Sequence, residues 1–101
     1  MKLILITAIN EYAVNIKHIL RECNVKQYSY SKVTGFSNSS EDEIEKNWFA
    51  SEMNENESIL FYAFLPASSS ETIFTKINEF NQQQNCESKV HVTTLSIDKS
   101  N

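Results

Sequence analysis

The chain contains little glycine, proline, cysteine or arginine: among its 101 residues are one glycine, one proline, two cysteines and one arginine. A single glycine excludes a Gly-x-Gly-x-x-Gly dinucleotide motif and a glycine-rich phosphate loop, because each needs more than one. So little glycine and proline also argues against a disordered or low-complexity protein. We therefore expect one globular domain over residues 1–101.

The two cysteines and the short apolar runs exclude further classes. Cys23 and Cys86 show neither Cys-x-x-Cys nor Cys/His ligand spacing, so neither a disulfide framework nor a metal site is predicted. The apolar run from Leu3 to Ile6 is too short for a signal-peptide core or a membrane span. We expect a cytoplasmic protein with free thiols, no bound metal and no membrane insertion.

No catalytic set is evident. His18 and His91 have no sequence cue that pairs them with a nucleophile or an acid, and Ser68 to Ser70 lack a Gly-x-Ser-x-Gly elbow. We therefore predict no catalytic residues, and that the protein is not an enzyme.

Charge is unevenly distributed along the chain. Ser37 to Ser58 holds seven acidic residues against one lysine, a net charge of −6, which leaves +2 on the rest. Nucleic-acid binding needs clustered cations, so the class is disfavoured. The segment also lacks the spacing and turn glycine of a calcium loop, so a solvated acidic loop is the preferred interpretation.

Hydrophobic periodicity predicts six elements in the order strand, helix, strand, strand, helix, strand. Asn10 is a candidate N-cap for the first helix, and Ser68-x-x-Glu71 has capping-box spacing for the second. The predicted strands are Lys2 to Ile9, Val25 to Phe36, Ser58 to Leu65 and Lys89 to Ile97. This order is typical of a ferredoxin-like α+β fold (βαββαβ), a four-stranded antiparallel sheet with two helices on one face.

The first and third predicted strands are apolar on both sides. Leu3 to Ile6 and Ile59 to Leu65 lack the polar alternation expected of a strand with one face in water. Two helices cover only one face, and the chain has no further element for the other. A second copy is the economical cover, so the residues predict a homo-oligomer. A twisted sheet with modest exposure is the alternative.

The only glycine lies in Val33-Thr34-Gly35-Phe36, where the second predicted strand meets the acidic segment. Glycine is needed where φ is positive or where a ligand approaches the backbone, so Gly35 predicts a forced turn or a binding edge. Inside the acidic segment, Trp48 and Phe49, with Met53, could form a protein-binding anchor. Packing of Trp48 within its own assembly or core is equally compatible with the sequence.

The stretch from Asn24 to Phe36 resembles the second strand of PII-type signal-transduction proteins, which ends in Val-x-Gly-Phe before a long loop called the T-loop. A loop of similar length at 37–58 and a third strand ending at Pro66 extend the likeness over nearly the whole chain. The resemblance implies a homotrimer that senses adenine nucleotides in clefts between subunits. It also implies a loop that regulates a target protein, for example a membrane transporter.

Carried onto this chain, the resemblance implies a ligand cleft for an adenine nucleotide or another small anionic effector. Its edges would be Ser29, Gly35, Ser37, Asn38 and Lys89. Ser37 and Asn38 replace the glycine and arginine that follow Gly-Phe in nucleotide-binding members, and the polar stretch 81–88 replaces a glycine-rich loop. We therefore expect the usual site for ATP and 2-oxoglutarate to be degenerate.

Two alternatives remain open from the sequence. One is an interaction trimer that binds no ligand and acts only through its loop. The other is a divalent-cation-tolerance protein of the CutA type, which has a similar topology and assembly. The second alternative requires cysteine and histidine side chains to converge, from among His18, Cys23, Cys86 and His91.

Overall fold

A computed structural model describes residues 1–36, 55–84 and 88–101, without the side chains of residues 55 and 56. The described elements follow the predicted order. They are β1 (Lys2–Ile9), a 3-10 turn (Asn10–Tyr12), α1 (Ala13–Glu22), β2 (Ser29–Phe36), β3 (Glu55–Leu65), α2 (Ala67–Gln83) and β4 (His91–Ser96). The predicted α+β class with a four-stranded antiparallel sheet and two helices is confirmed.

The strands are arranged in the order β2-β3-β1-β4, and every neighbouring pair is antiparallel. Strand β3 pairs Ile59 with Ala8 of β1, while β1 pairs Thr7 with His91 of β4. Strand β2 therefore runs parallel to β1 and opposite to β4. As a result, β2 ends and β4 begins at the same end of the sheet, with β3 and β1 between them.

Strand β2 begins at Ser29 instead of Val25 and β4 ends at Ser96 instead of Ile97. Two further strand boundaries differ from the prediction for identifiable reasons. Strand β3 begins at Glu55 because its ladder with β2 extends to the pair of Phe36 with Glu55, so the connection between these strands is 37–54. Strand β4 begins at His91 because the backbone N–H and carbonyl of Val90 are bonded to the side-chain amide of Asn81, both at 2.8 Å. A residue held in this way cannot also pair with β1.

Both predicted helix caps are wrong. Asn10 is the first residue of the 3-10 turn, and Tyr12 is the N-cap of α1, with no side-chain cap hydrogen bond. Helix α2 starts at Ala67 directly after Pro66, so Ser68 lies inside its first turn and no capping box forms. Pro66 has the extended backbone of an N-cap, and it stops β3 and starts α2 in one step.

Helix α1 ends in a Schellman arrangement around Asn24. Asn24 has φ 61°, and it is the only non-glycine residue with a positive φ in the described parts of the chain. The Val25 N–H donates to the Leu20 carbonyl, and the Asn24 N–H donates to the Arg21 carbonyl, both at 3.0 Å. Asparagine tolerates this left-handed conformation better than most residues, so the helix terminates without a glycine.

The core lies between the sheet and the two helices. Ile4 and Ile6 of β1 and Phe61 of β3 are each 1% exposed on the sheet face that meets the helices. Helix α1 contributes Ile16, Ile19 and Leu20 to this core, and α2 contributes Ile73 and Ile77. We call this surface of the sheet the covered face.

Candidate functional site

The opposite surface of the sheet, which we call the open face, carries the alternate residues of each strand. Cross-strand pairs place Leu5 beside Tyr62 and Leu3 beside Phe64, with Leu95 of β4 next to Leu3. Tyr62, Phe64 and Leu95 are 41%, 57% and 43% exposed. The apolar composition on both sides of β1 and β3, which the sequence predicted, therefore corresponds to one buried face and one face that no described element covers.

A depression of about 460 Å³ lies in the middle of the open face. Its surface is mainly apolar and is formed by residues from all four strands, with His91 and Thr93 at one side. Its lining includes Leu5, Thr7, Val33, Leu60, His91 and Leu95. A concave apolar surface of this kind fits an apolar side chain better than a charged ligand.

Two buried hydroxyls belong to this side of the sheet. Thr7 Oγ1 and Ser58 Oγ have no hydrogen-bond partner among the residues that the structure describes. Burying a hydroxyl without a partner costs roughly 1–3 kcal/mol. These hydroxyls are therefore available to polar groups brought from outside the described residues.

His91 lies on the open face at the start of β4. Its Nε2 lies 3.0 Å from Thr93 Oγ1. Burial lowers the pKa of His91 below its usual value, because the partly buried site disfavours the imidazolium. His91 is therefore held in its neutral form more strongly than an exposed histidine.

Lys89, a predicted ligand residue, precedes β4 and is placed there by Asn81. The Asn81 amide bonds both backbone groups of Val90 and so ties this stretch to the end of α2. Lys89 Nζ donates to the Asn81 carbonyl at 3.2 Å, near the C-terminus of α2. There its positive charge interacts favourably with the negative end of the helix dipole. Sequence reasoning did not identify Asn81, because an asparagine in a polar stretch gives no signal that distinguishes it.

Gly35 lies in β2, paired with Asn56, and it is buried. The predicted forced turn at Gly35 is wrong, because no described glycine has a positive φ. Its conformation is that of an ordinary strand residue, so the lack of a side chain matters here for packing. A Cβ at this position would have to displace its neighbours.

Within a single chain, the predicted ligand residues that the structure describes fall into two groups at opposite ends of the sheet. Gly35 and Lys89 lie at the same end of the sheet, on β2 and before β4. Ser29 begins β2, six residues before Gly35, which places it about 20 Å away at roughly 3.3 Å per strand residue. Ser37, Asn38, Trp48, Phe49 and Met53 lie outside the described residues.

A second depression of about 340 Å³ surrounds Ser29. Ser29 pairs directly with Tyr62 across the strands, and Gln27, Tyr28, Ala63 and Phe64 also line the depression. The sequence identifies Tyr62 and Phe64 only as members of an apolar strand. Their place beside Ser29 follows from the register of β2 with β3, which the sequence does not specify.

Within the described ranges, no group of three metal-ligating side chains could hold an ion. His18 and Cys23 belong to α1 and its C-cap, His91 is on an edge strand, and Cys86 lies outside the described residues. No described helix is both long and apolar enough to cross a membrane.

Sequence comparison finds no relative: no protein-family profile matches the chain, and no curated protein matches it significantly. Solved structures do match. A DUF3240 family protein from Shewanella baltica OS155 has a TM-score of 0.68 at 17% identity, covering 99% of this chain and 92% of that one.

Two further matches are PII-like. CPII from Thiomonas intermedia K12, a nitrogen regulatory PII-like protein solved with ADP, AMP and bicarbonate, has a TM-score of 0.63 at 13% identity, covering 98% of this chain and 93% of its own. A protein from Thermus thermophilus named as PII-like and signalling has a TM-score of 0.63 at 13% identity, with 93% of this chain and 82% of its own covered. The resemblance found in the Val-x-Gly-Phe strand is thus confirmed at the level of fold, and the chain has the fold of PII-like signalling proteins.

Proposed function

We propose that this protein is a PII-like homotrimeric regulator, which binds a small anionic effector between subunits and controls a target protein through the segment 37–58. The observation that carries the proposal is the open face. Leu5, Leu60, Tyr62 and Phe64 form an apolar sheet surface that no described element of the chain covers. Other copies of the same face are its best cover, because apolar patches of this extent are seldom left in water.

The two unpartnered hydroxyls support the same assembly. Thr7 Oγ1 and Ser58 Oγ are buried in one chain, so they gain hydrogen bonds if polar groups of a neighbouring copy reach them. The apolar depression beside Thr7 could at the same time receive a side chain of that neighbour.

Assembly also offers a way to join the separated ligand residues. Gly35 and Lys89 of one copy and Ser29 of the next would edge a single cleft, together with Ser37 and Asn38. Tyr62 and Phe64 beside Ser29 could stack on a nucleobase, and Lys89 could meet an anionic group. An adenine nucleotide is the preferred effector class, and CPII was solved with ADP and AMP.

The proposed effector region is the acidic segment 37–58, with Trp48, Phe49 and Met53 as partner anchors. Its net charge of −6 favours a partner with a basic docking surface, such as a cytoplasmic face of a membrane transporter. Regulation requires that effector binding in the cleft changes how this segment engages the partner.

Two measurements test the proposal. Analytical ultracentrifugation of the full chain is expected to give the mass of a trimer, and a monomer at all concentrations would refute the assembly. Thermal-shift screening with AMP, ADP and ATP is expected to raise Tm for at least one nucleotide, because a ligand of the folded state stabilises it. If the protein is a trimer but none of these nucleotides changes its Tm, nucleotide sensing is contradicted while the proposed assembly stands.

A ligand-independent interaction trimer is the second candidate. It is favoured by Lys89, whose ammonium group is already bonded to the Asn81 carbonyl at the end of α2. Under this candidate, hydrogen exchange of residues 37–58 is unchanged by any metabolite that is tested, while partner binding persists.

A further inference from the structure

A groove between α1 and β2 lies on the helix side of the molecule, away from the open face. It has a volume of about 330 Å³ and is lined by Lys17, Arg21, Asn24, Val25, Lys26 and Tyr28. It lies toward the end of the sheet where α1 stops and β2 begins. The segment 37–58 joins the chain at the other end, so the groove lies away from those junctions, and it shares Tyr28 with the depression around Ser29.

Among the described residues, no carboxylate forms an ion pair with the cations of this groove. On α1, His18 Nε2 lies 3.8 Å from Glu22 Oε1, but neither residue lines this groove. Arg21 and Lys26 are exposed, and Arg21 carries the only guanidinium in the chain. The charge of Arg21 also interacts favourably with the C-terminal end of the α1 dipole, but this interaction does not explain the presence of Lys17 or Lys26 in the groove. The chain is acidic overall, so this groove, with three cations and no described carboxylate partner, has the opposite charge to the chain as a whole.

Tyr28 forms the wall of the groove on the β2 side, and Tyr30 lies beside it with ring centres 6.3 Å apart. Tyr28 packs on Phe61 with ring centres 5.8 Å apart, and Tyr30 packs on the same ring at 5.3 Å. Tyr30 remains 51% exposed, and Lys17 Nζ lies 4.4 Å from the centre of its ring. Tyrosine and arginine held on a rigid scaffold are the residues that most often dominate protein-protein binding energy.

From this combination we infer a second docking surface, which binds an acidic polypeptide segment of a partner protein. Charge complementarity favours an acidic segment as the ligand, since the described lining of the groove contains cations and no carboxylates. The shape selects a polypeptide over a phosphate group. Lys17 and Arg21 are one helical turn apart on α1 and Lys26 lies beyond its end, so the cations are distributed over two segments of the chain along one groove.

The position on α1 supports the same choice. The groove lies at the C-terminal end of the helix, where backbone carbonyls and the dipole oppose a compact polyanion. Carboxylates spaced along an extended segment can instead meet the cations singly, with a bidentate contact at Arg21. Apolar side chains between them would pack on Tyr28 and Tyr30.

Fluorescence anisotropy with a labelled polyglutamate peptide tests the inference on the full chain, whatever its assembly. The variant Arg21→Glu should weaken binding about tenfold or more, the loss expected for an arginine hot spot. The control is Lys76→Glu, which changes the net charge equally but lies in the separate groove between α1 and α2. Wild-type affinity is expected for this control, and binding should weaken as salt is added.

Equal loss in both variants would show attraction by net charge alone and overturn the inference, as would no binding to wild type. NMR titrations with inorganic phosphate and with vesicles containing phosphatidylserine, at matched ionic strength, cover the other sources of negative charge. If either shifts the Arg21 and Lys26 amides while the peptide does not, the surface serves a phosphate or a membrane and the inference fails. Arg21→Gln serves as a milder variant should Arg21→Glu unfold.

Discussion

On β1 and β3 the two faces of the sheet are both largely apolar but have opposite environments. Phe61 and Phe64 are three residues apart on β3, yet Phe61 is 1% exposed and Phe64 is 57% exposed. Both lie in an apolar strand, so their difference arises only from the helices that cover one side. A strand that is apolar on both sides therefore indicates that both sheet faces must be buried. The two helices are enough to bury only one of them.

The open face should be the more sensitive to charge. Leu60→Glu places a carboxylate in the depression at its centre, where burial of an unpaired ion in an assembly costs several kcal/mol per copy. We expect the trimer to dissociate into monomers in analytical ultracentrifugation. Val14→Glu is the matched control, because Val14 is exposed on α1, and it should leave the mass unchanged. Retention of the trimer by Leu60→Glu would mean that the open face is not the interface.

The covered face should respond to loss of volume. Phe61→Ala removes the largest side chain that is fully buried among the described residues, and we expect the free energy of unfolding to fall by about 3–5 kcal/mol. Urea denaturation followed by circular dichroism measures this change. Phe64→Ala is the control on the same strand, and as an isolated chain it should lose much less. Similar losses for the two variants under monomeric conditions would contradict the distinction between the faces.

Asn81 joins the edge of the sheet to the helix layer. Asn81→Ala leaves the N–H and carbonyl of the buried Val90 without these partners, and the expected loss of stability is about 1–3 kcal/mol. Asn78→Ala, at an exposed position of the same helix, should change stability by about 0.5 kcal/mol or less. If the two variants unfold at the same urea concentration, the Asn81 amide does not hold the start of β4.

The smallest effect concerns pH and the open face. The pKa of His91 is lowered by burial, so as pH falls through the ordinary histidine range the unfolded state takes up a proton that the folded state resists. Stability should therefore decrease as pH falls from about 7.5 to about 5.5. His91→Asn should lessen this decrease, as measured by urea midpoints across that range. His18→Asn, on the solvent side of α1, is the comparison, and an unchanged pH profile in His91→Asn would exclude His91 as the source.

Much of the fold could be predicted because hydrophobic periodicity and the residues that end helices and strands are local properties of the sequence. The apolar, β-branched run in Lys2–Ile9 and the helical stripe through Ile16, Ile19 and Leu20 identified their elements directly. The caps predicted at Asn10 and Ser68 were wrong because the position of a cap depends on the residue at which the preceding strand ends. The turn predicted at Gly35 was wrong because this residue continues the strand pairing with Asn56.

The candidate site was less predictable, because it depends on which strands become neighbours. Ser29 and Lys89 could be selected only through the family resemblance, and in one chain they lie at opposite ends of the sheet. Tyr62, Phe64 and Asn81 were not selected at all, since their roles come from register and from a bond across nine residues of chain. The groove of Lys17, Arg21 and Lys26 combines residues from a helix and the turn after it, next to an edge strand.

The sequence by itself determined the order of the elements, the excess of apolar strand surface and the separation of acidic from basic charge. These follow from side-chain chemistry and from spacing along the chain. Only the tertiary structure decided which apolar face is covered, which residues meet at each end of the sheet, and that three cations share a groove without a described carboxylate partner. The physical reason is that register and helix packing bring together residues far apart in sequence, and neither is encoded in a local pattern.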